Sequence, residues 1–443
     1  MSSKLSASRL SFILAALFSG APAISADLMQ VYREAQSNDQ QYLAARAAAD
    51  AGREKGPQGL SGLLPSINGS ANTVWNENTY RPENGPKSSS DFNTHSYGVS
   101  LTQPLFNWQR FVEYGQGQLL VAQAEAVFAQ ASQDLILRVA QAYFDVLYAE
   151  ENLKAVRSNK QAIGQQLEQA KKNFEVGTAT ITDSQEAQAR FDLADAQEIA
   201  AQSDLEVKRY ALRVIVGKEV GELNRLKPQA ELRPPQPAAM DKWVDAAQKD
   251  SFEVQAQQAQ AEIAAKEVQR MRAGHYPTVD IEANYGKSNT LAGFSSMVEA
   301  DSRNIGLKLT IPIFQGGYVN SKTREAAANK LAAQAGLENT KRMAALNAQQ
   351  SYLGVVNGLA QIRALDAALV SGTSALESNK LGYEVGVRIN IDVLNAENQV
   401  YVTKRELAKA RFDTLLSQLR LKASVGTLSE TDLEQINPLF EAP

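Results

Sequence analysis

Apolar and polar positions along the chain follow two periods, and each period occurs in two places. Ser96-Tyr97-Gly98-Val99-Ser100-Leu101-Thr102 alternates strictly. So do Val279-Asp280-Ile281-Glu282-Ala283-Asn284-Tyr285 and Ile305-Gly306-Leu307-Lys308-Leu309-Thr310-Ile311. Residues 67–80 alternate more weakly and include Trp75 and Tyr80. Period two predicts strands with one apolar face, here one β-hairpin in each half. Polar stretches at 81–94 and 287–303 are the expected hairpin loops. Apolar-out strands of about 9–11 residues suit an outer-membrane barrel. The same alternation also suits a half-exposed sheet in water.

The other period is helical. No proline interrupts 105–227 or 313–437, and both stretches are rich in Ala, Gln, Leu, Glu and Lys. They predict helices over 111–174 and 318–383, near 95 Å long at about 1.5 Å per residue. Val156, Ile163, Leu167, Ala170 and Phe174 are spaced as a heptad seam. Leu365, Gly372, Leu376, Asn379 and Tyr383 repeat the same steps, though Gly372 and Asn379 are not apolar. Steps averaging about 3.5 predict coiled-coil packing. Shorter helices are expected at 30–54, 183–215, 241–271 and 392–423. Pro65, Pro104, Pro277 and Pro312 stand where helix pattern meets strand pattern, and there they separate elements.

These patterns recur because the chain is written twice. Leu64-Pro65-Ser66-Ile67 returns as Tyr276-Pro277-Thr278-Val279. Leu101-Thr102-Gln103-Pro104-Leu105-Phe106 returns as Leu309-Thr310-Ile311-Pro312-Ile313-Phe314. Glu175-Val176-Gly177 returns as Glu384-Val385-Gly386, and Val216-Gly217 as Val425-Gly426. Matches in constant order mark tandem repeats. The expected organisation is a first repeat at 27–217 with its hairpin at about 66–104, and a second at 241–428 with its hairpin at about 277–312. A proline-rich linker, 218–240, joins them, and 429–443 forms a C-terminal tail. Lys4 and Arg9, the apolar run 10–18 and the small residues 20–26 read as a signal peptide, residues 1–26. No later segment has eighteen consecutive apolar residues, so no transmembrane helix is expected.

Composition narrows the function. The 443 residues contain no cysteine and only two histidines, His95 and His275. That removes thiol chemistry and Cys-ligated metal sites. A net charge of −4 speaks against a nucleic-acid binder. No nucleophile–base set stands out, so neither an enzyme nor a cofactor is expected. Four strands cannot close a barrel, and lipid tolerates no open sheet edge. If the strands span a membrane, several chains share one barrel. Two chains is the minimum, and three would give twelve strands.

Asn173-Phe174-Glu175-Val176-Gly177 with Ile181-Thr182-Asp183, and Gly382-Tyr383-Glu384-Val385-Gly386 with Arg388 and Asp392-Val393-Leu394, carry a resemblance. Ile313-Phe314-Gln315-Gly316-Gly317 agrees less specifically. Over 28–428 the chain resembles the TolC family of outer-membrane channel-tunnels. The resemblance implies a mainly α protein with membrane β, whose homotrimer forms a 12-stranded barrel continuous with a periplasmic α-barrel. It implies a cell outer-membrane location with a large periplasmic portion. It also implies a type I secretion or multidrug efflux duct, opened by coiled-coil untwisting. The implied partners are a periplasmic adaptor, an inner-membrane ABC or RND transporter and outer-membrane lipid. A trimeric coiled-coil adhesin or stalk is the alternative, but hairpins in both halves speak against it.

The resemblance also assigns roles by position. Val176-Gly177-Thr178 and Val385-Gly386-Val387 match adaptor-docking tips; capped helix ends would look the same. Asp392 matches an aspartate of the periplasmic constriction. Thr182, Asp183, Tyr383 and Arg388 match polar links that hold the entrance shut. N-cap duty is the plainer role for Asp183 and Asp392. A second constriction aspartate falls on Asn395, and Glu186 is the expected substitute charge. A further acid of the closing links falls on Lys380, opposite Gln166.

Overall fold

The computed structural model describes residues 26–178, 180–292 and 296–442. The expected signal peptide lies outside them except for Ala26. That residue is buried, its N–H donates to Glu222 O and its carbonyl accepts from Tyr143 Oη. A chain boundary after Ala26 would remove these bonds.

Three helices lead in: α1 (Leu28–Asn38), α2 (Gln40–Arg53) and α3 (Lys55–Ser61). They replace the single helix expected at 30–54. The break is chemical: Asp39 accepts from Tyr42 N at 2.6 Å to cap α2, and pairs with Arg138 at 2.7 Å. The hairpin β1 (Ser66–Tyr80) and β2 (Ser88–Phe106) follows, then α4 (Trp108–Glu175, 68 residues) and α5 (Ile181–Val216). A short β3 (Arg225–Leu226) lies in the connection to α6 (Met240–Asp250) and α7 (Phe252–Arg272). These two split the helix expected at 241–271, because Ser251 turns the chain and accepts from Val254 N. The hairpin β4 (Thr278–Ala292) and β5 (Ser296–Thr310), then α8 (Tyr318–Glu384, 67 residues) and α9 (Asn390–Ser424), repeat the earlier order. Finally come α10 (Glu430–Ile436) and β6 (Phe440–Glu441).

The two hairpins join into one antiparallel sheet of order β1-β2-β4-β5, with β1 and β5 at its edges. Its strands run 15 to 19 residues, longer than expected. Most of the expected loops at 81–94 and 287–303 are therefore strand. They lack the regular apolar–polar alternation of the neighbouring strand segments, which hid them from an alternation search. Pro104 sits inside β2 rather than at its end, at a register shift between Pro104 and Phe106. A bulge tolerates the missing N–H. The pairings Ile67↔Leu101, Leu101↔Ala283 and Ala283↔Ile305 put these four side chains on one face. Leu307 and Leu309 continue that face and are exposed.

Helix α4 packs along α5, and α8 along α9, while α7 fills the space between α4 and α8. The main core lies at mid-height, where α1, α4, α5, α9 and α10 converge. Phe144 stacks between Phe412 (5.8 Å) and Phe440 (5.9 Å), and Tyr143 meets Phe440 edge-on. The expected linker and tail pair with each other here, Arg225 with Glu441 and Leu226 with Phe440. One 18-residue window of α8 has mean hydropathy 1.3 and is 6% buried. By length and composition it is apolar enough to cross a membrane, which the search for consecutive apolar residues did not reveal. It is part of a helix that packs on α7 and α9.

Candidate functional site

Far from the core, α4 turns into α5 and α8 into α9 at two matching tips. Gly177 (φ 79°) and Gly386 (φ 81°) are left-handed, a conformation that favours glycine. Gly177 N donates to Phe174 O, and Thr178 N to Asn173 O at 2.8 Å. Gly386 N donates to Tyr383 O, and Val387 N to Gly382 O at 2.9 Å. These are the two bonds of a Schellman cap, so both helices end with their last carbonyls satisfied. The caps turn apolar side chains outward: Val176 is 72% exposed, Val387 75%, and Val385 is exposed as well.

The first turns of α5 and α9 hold the expected polar residues, but N-cap duty falls elsewhere. Thr180 caps α5, and Asp183 completes a capping box by accepting from Thr180 N at 2.9 Å. Thr182 Oγ1 lies 2.9 Å from Thr180 Oγ1. Ile389 occupies the N-cap place of α9 without a side-chain bond, and Asp392 stands three residues on. There Asp392 favours the positive end of the helix dipole. It also pairs with Arg388 at 3.6 Å. Among the described residues no hydrogen bond or ion pair joins Arg388 to Thr182 or Asp183 within the chain. Tyr383 Oη accepts from Asn173 Nδ2 at 3.2 Å, tying α8 to α4. Asn395 Oδ1 accepts from Arg190 Nη2 at 3.1 Å, and Arg190 also pairs with Glu186 at 3.7 Å. Glu186, the expected substitute charge, is thus partly neutralised by Arg190.

Two residues here escaped the sequence reading, Arg190 just described and Glu397. Glu397, on α9, accepts from Gln166 Nε2 of α4 at 2.8 Å and pairs with Lys380 of α8 at 2.8 Å. Gln166 and Lys380, which seemed mismatched, meet through this third group. Three steps along a helix from Leu394, Glu397 looks like one more surface carboxylate; only its i, i+3 spacing from buried Leu394 and Val400 hints at the seam. The heptad seam is real at Val156, Ile163, Leu167 and Ala170, which are buried, whereas Phe174 is exposed. Between these layers and mid-height, Lys160 bonds to Asp195 and Glu198, and Arg157 bonds to Glu198 at 2.9 Å. Hydrogen bonds from Lys160 and then Arg157 hold the Glu198 carboxyl below its ordinary range. Among the described residues no group of three or more acidic or histidine side chains is arranged to hold a metal. His275 Nε2 lies 3.1 Å from Asn320 Oδ1.

Known proteins resemble this chain in sequence and in fold. The model of a family described as outer membrane efflux protein matches residues 31–218 and 243–427. Outer membrane protein TolC of Vibrio cholerae is 34% identical over 430 residues, covering 96% of this chain and 97% of that protein. Alkaline protease secretion protein AprF of Pseudomonas aeruginosa is 30% identical, covering 94% of this chain and 88% of AprF. Among solved structures, the Campylobacter jejuni CmeC outer membrane channel superposes with a TM-score of 0.79 at 18% identity, over 93% of this chain and 89% of that one.

Proposed function

Because the chain belongs to the outer membrane efflux protein family, we propose that three copies close one barrel and one periplasmic tunnel. The chain is an outer-membrane exit duct for type I secretion or efflux. The observation that carries the trimer is the four-stranded sheet with an apolar outer face, which among the described residues ends at β1 on one side and β5 on the other. An unpaired edge is intolerable in lipid, and pairing β5 of one copy with β1 of the next removes it. Three such sheets make twelve strands. The two repeats, 27–217 and 241–428, then each supply one hairpin and one helix pair.

In this reading the periplasmic end is the gate. Asp392 of each copy approaches the axis, with Asn395 one helical turn behind. Arg388, Tyr383, Thr182, Asp183 and Glu186 supply the polar links between neighbouring helix pairs. The exposed valines of the capped tips, with Gly177, Thr178 and Gly386, receive the periplasmic adaptor, which connects the duct to an inner-membrane ABC or RND transporter. The subunit performs no chemistry and needs no cofactor; its substrate moves through.

The test is assembly together with conduction. The purified protein should run as a detergent-resistant trimer and conduct ions in planar bilayers. A monomer that does not insert would end this reading.

A further inference from the structure

We infer that Glu397 is the clasp that holds α9 against α4 and α8 in the closed tip; this rests on the gate reading above. Three carboxylates are buried among the described residues: Asp39, Glu397 and Asp432. Asp39 caps α2 and Asp432 completes the capping box of α10, so both have helix ends to serve. Glu397 serves none. It lies inside α9, 8% exposed, and spends its two oxygens on two different helices. Burying a charge is costly unless it is paired and hydrogen-bonded, and here both partners are supplied. Lys380 reaches it from a half-exposed position, 50% exposed on its side chain. Water can therefore solvate Lys380 readily once the pair separates.

Location makes this bond a clasp rather than a staple. Glu397 stands five residues after Asp392, directly behind the proposed constriction. Two residues before it, Asn395 accepts from Arg190 of α5. Within about one turn of α9, all four stalk helices are therefore cross-tied, and α9 is the common member. Any opening that swings α9 away from α4 must break the Gln166–Glu397 bond.

The experiment is single-channel conductance in planar bilayers, using full-length trimers. Glu397→Ala should raise conductance several-fold over wild type. Glu397→Gln, which keeps the shape and loses the charge, should give an intermediate rise. The exchanged pair Lys380→Glu with Glu397→Lys should return conductance towards wild type. A residue that only packs would lower the melting temperature in every variant without moving conductance, and the exchange would not rescue it. The Arg388→Ser, Tyr383→Phe variant is measured alongside. If it opens while Glu397→Ala and Glu397→Gln conduct as wild type, the clasp is wrong and the gate stands. If none of the variants opens, the gate reading falls and the clasp with it.

Discussion

The mid-height core and the periplasmic tip are built from the same helices by different means. At mid-height α4 buries Tyr143, Phe144, Leu147 and Leu135 against five other elements, with the rings of Phe412 from α9 and Phe440 from β6 stacked on Phe144. At the tip the same helix buries only Ile163 against Ala194 and Leu394, and Leu167 and Ala170 against Ala187. Apolar burial falls away, and polar ties take over: Asn173–Tyr383, Arg190–Asn395, Gln166–Glu397–Lys380. A large core is non-directional and hard to rearrange, whereas hydrogen bonds break one at a time and water replaces them. The contrast assigns rigidity to the middle and movement to the end, since opening elements are drawn from regions with little buried apolar surface.

The contrast is sharpest where packing is densest. Phe144→Ala should destabilise the protein by about 3–5 kcal/mol, because it empties a ring position stacked on two others. Val387→Ala at the tip should change stability by less than about 0.5 kcal/mol, being exposed. Melting temperatures of the two purified variants check this. Comparable losses would erase the distinction.

A smaller effect tests charge at the tip. If three Asp392 carboxylates meet at the axis as proposed, a trivalent hexammine cation should block from the periplasmic side. Asp392→Asn should weaken the block by about tenfold or more, equivalent to about 1.4 kcal/mol. Asn395→Asp should strengthen it only modestly, because Arg190 lies against that position. Equal block in wild type and both variants would remove Asp392 from the pore.

The smallest effects are in pH. Burial, chiefly, pushes Tyr32 in the core up from 10.0 to about 12, and Tyr143 is raised by the same cause. Between these values only the unfolded phenol ionises, which favours unfolding, so the stability is intact below pH 10 and is lost as pH rises towards about 12. Glu198 is lowered from 4.5 by Lys160 and Arg157, so its contribution is present above that value and is lost on acidification. Alkali should therefore loosen the middle, and acid the stalk. Tyr32→Phe should flatten the alkaline limb of a melting-temperature profile, and Glu198→Gln the acidic limb.

Much of this contrast was legible in the residues. Proline-free, Ala- and Leu-rich stretches located α4 and α8 within three residues at each end. Alternation located the four strands, because one face needs apolar side chains and the other does not. The parts of β2, β4 and β5 that lack a regular apolar–polar alternation were missed. Breaks at Asp39 and Ser251 were invisible because a capping residue inside a continuing helical pattern looks like any polar surface residue. At the tip, Gly177 and Gly386 declared themselves through the repeat. Glu397 and Arg190 did not, since a lone charge gains its meaning only when other helices arrive around it. Arg388, expected near Thr182 or Asp183 of an adjacent helix pair, pairs within the single chain with Asp392.

In the gate proposed above, polar ties at the tip, and not the packed middle, keep the duct closed. The most direct measurement is the single-channel conductance of the Arg388→Ser, Tyr383→Phe double variant against wild type. Each exposed tie is worth at most about 1 kcal/mol alone, but a trimer repeats it in every copy. Conductance should rise clearly while the melting temperature stays unchanged. Unchanged conductance in a folded, trimeric double variant would contradict it.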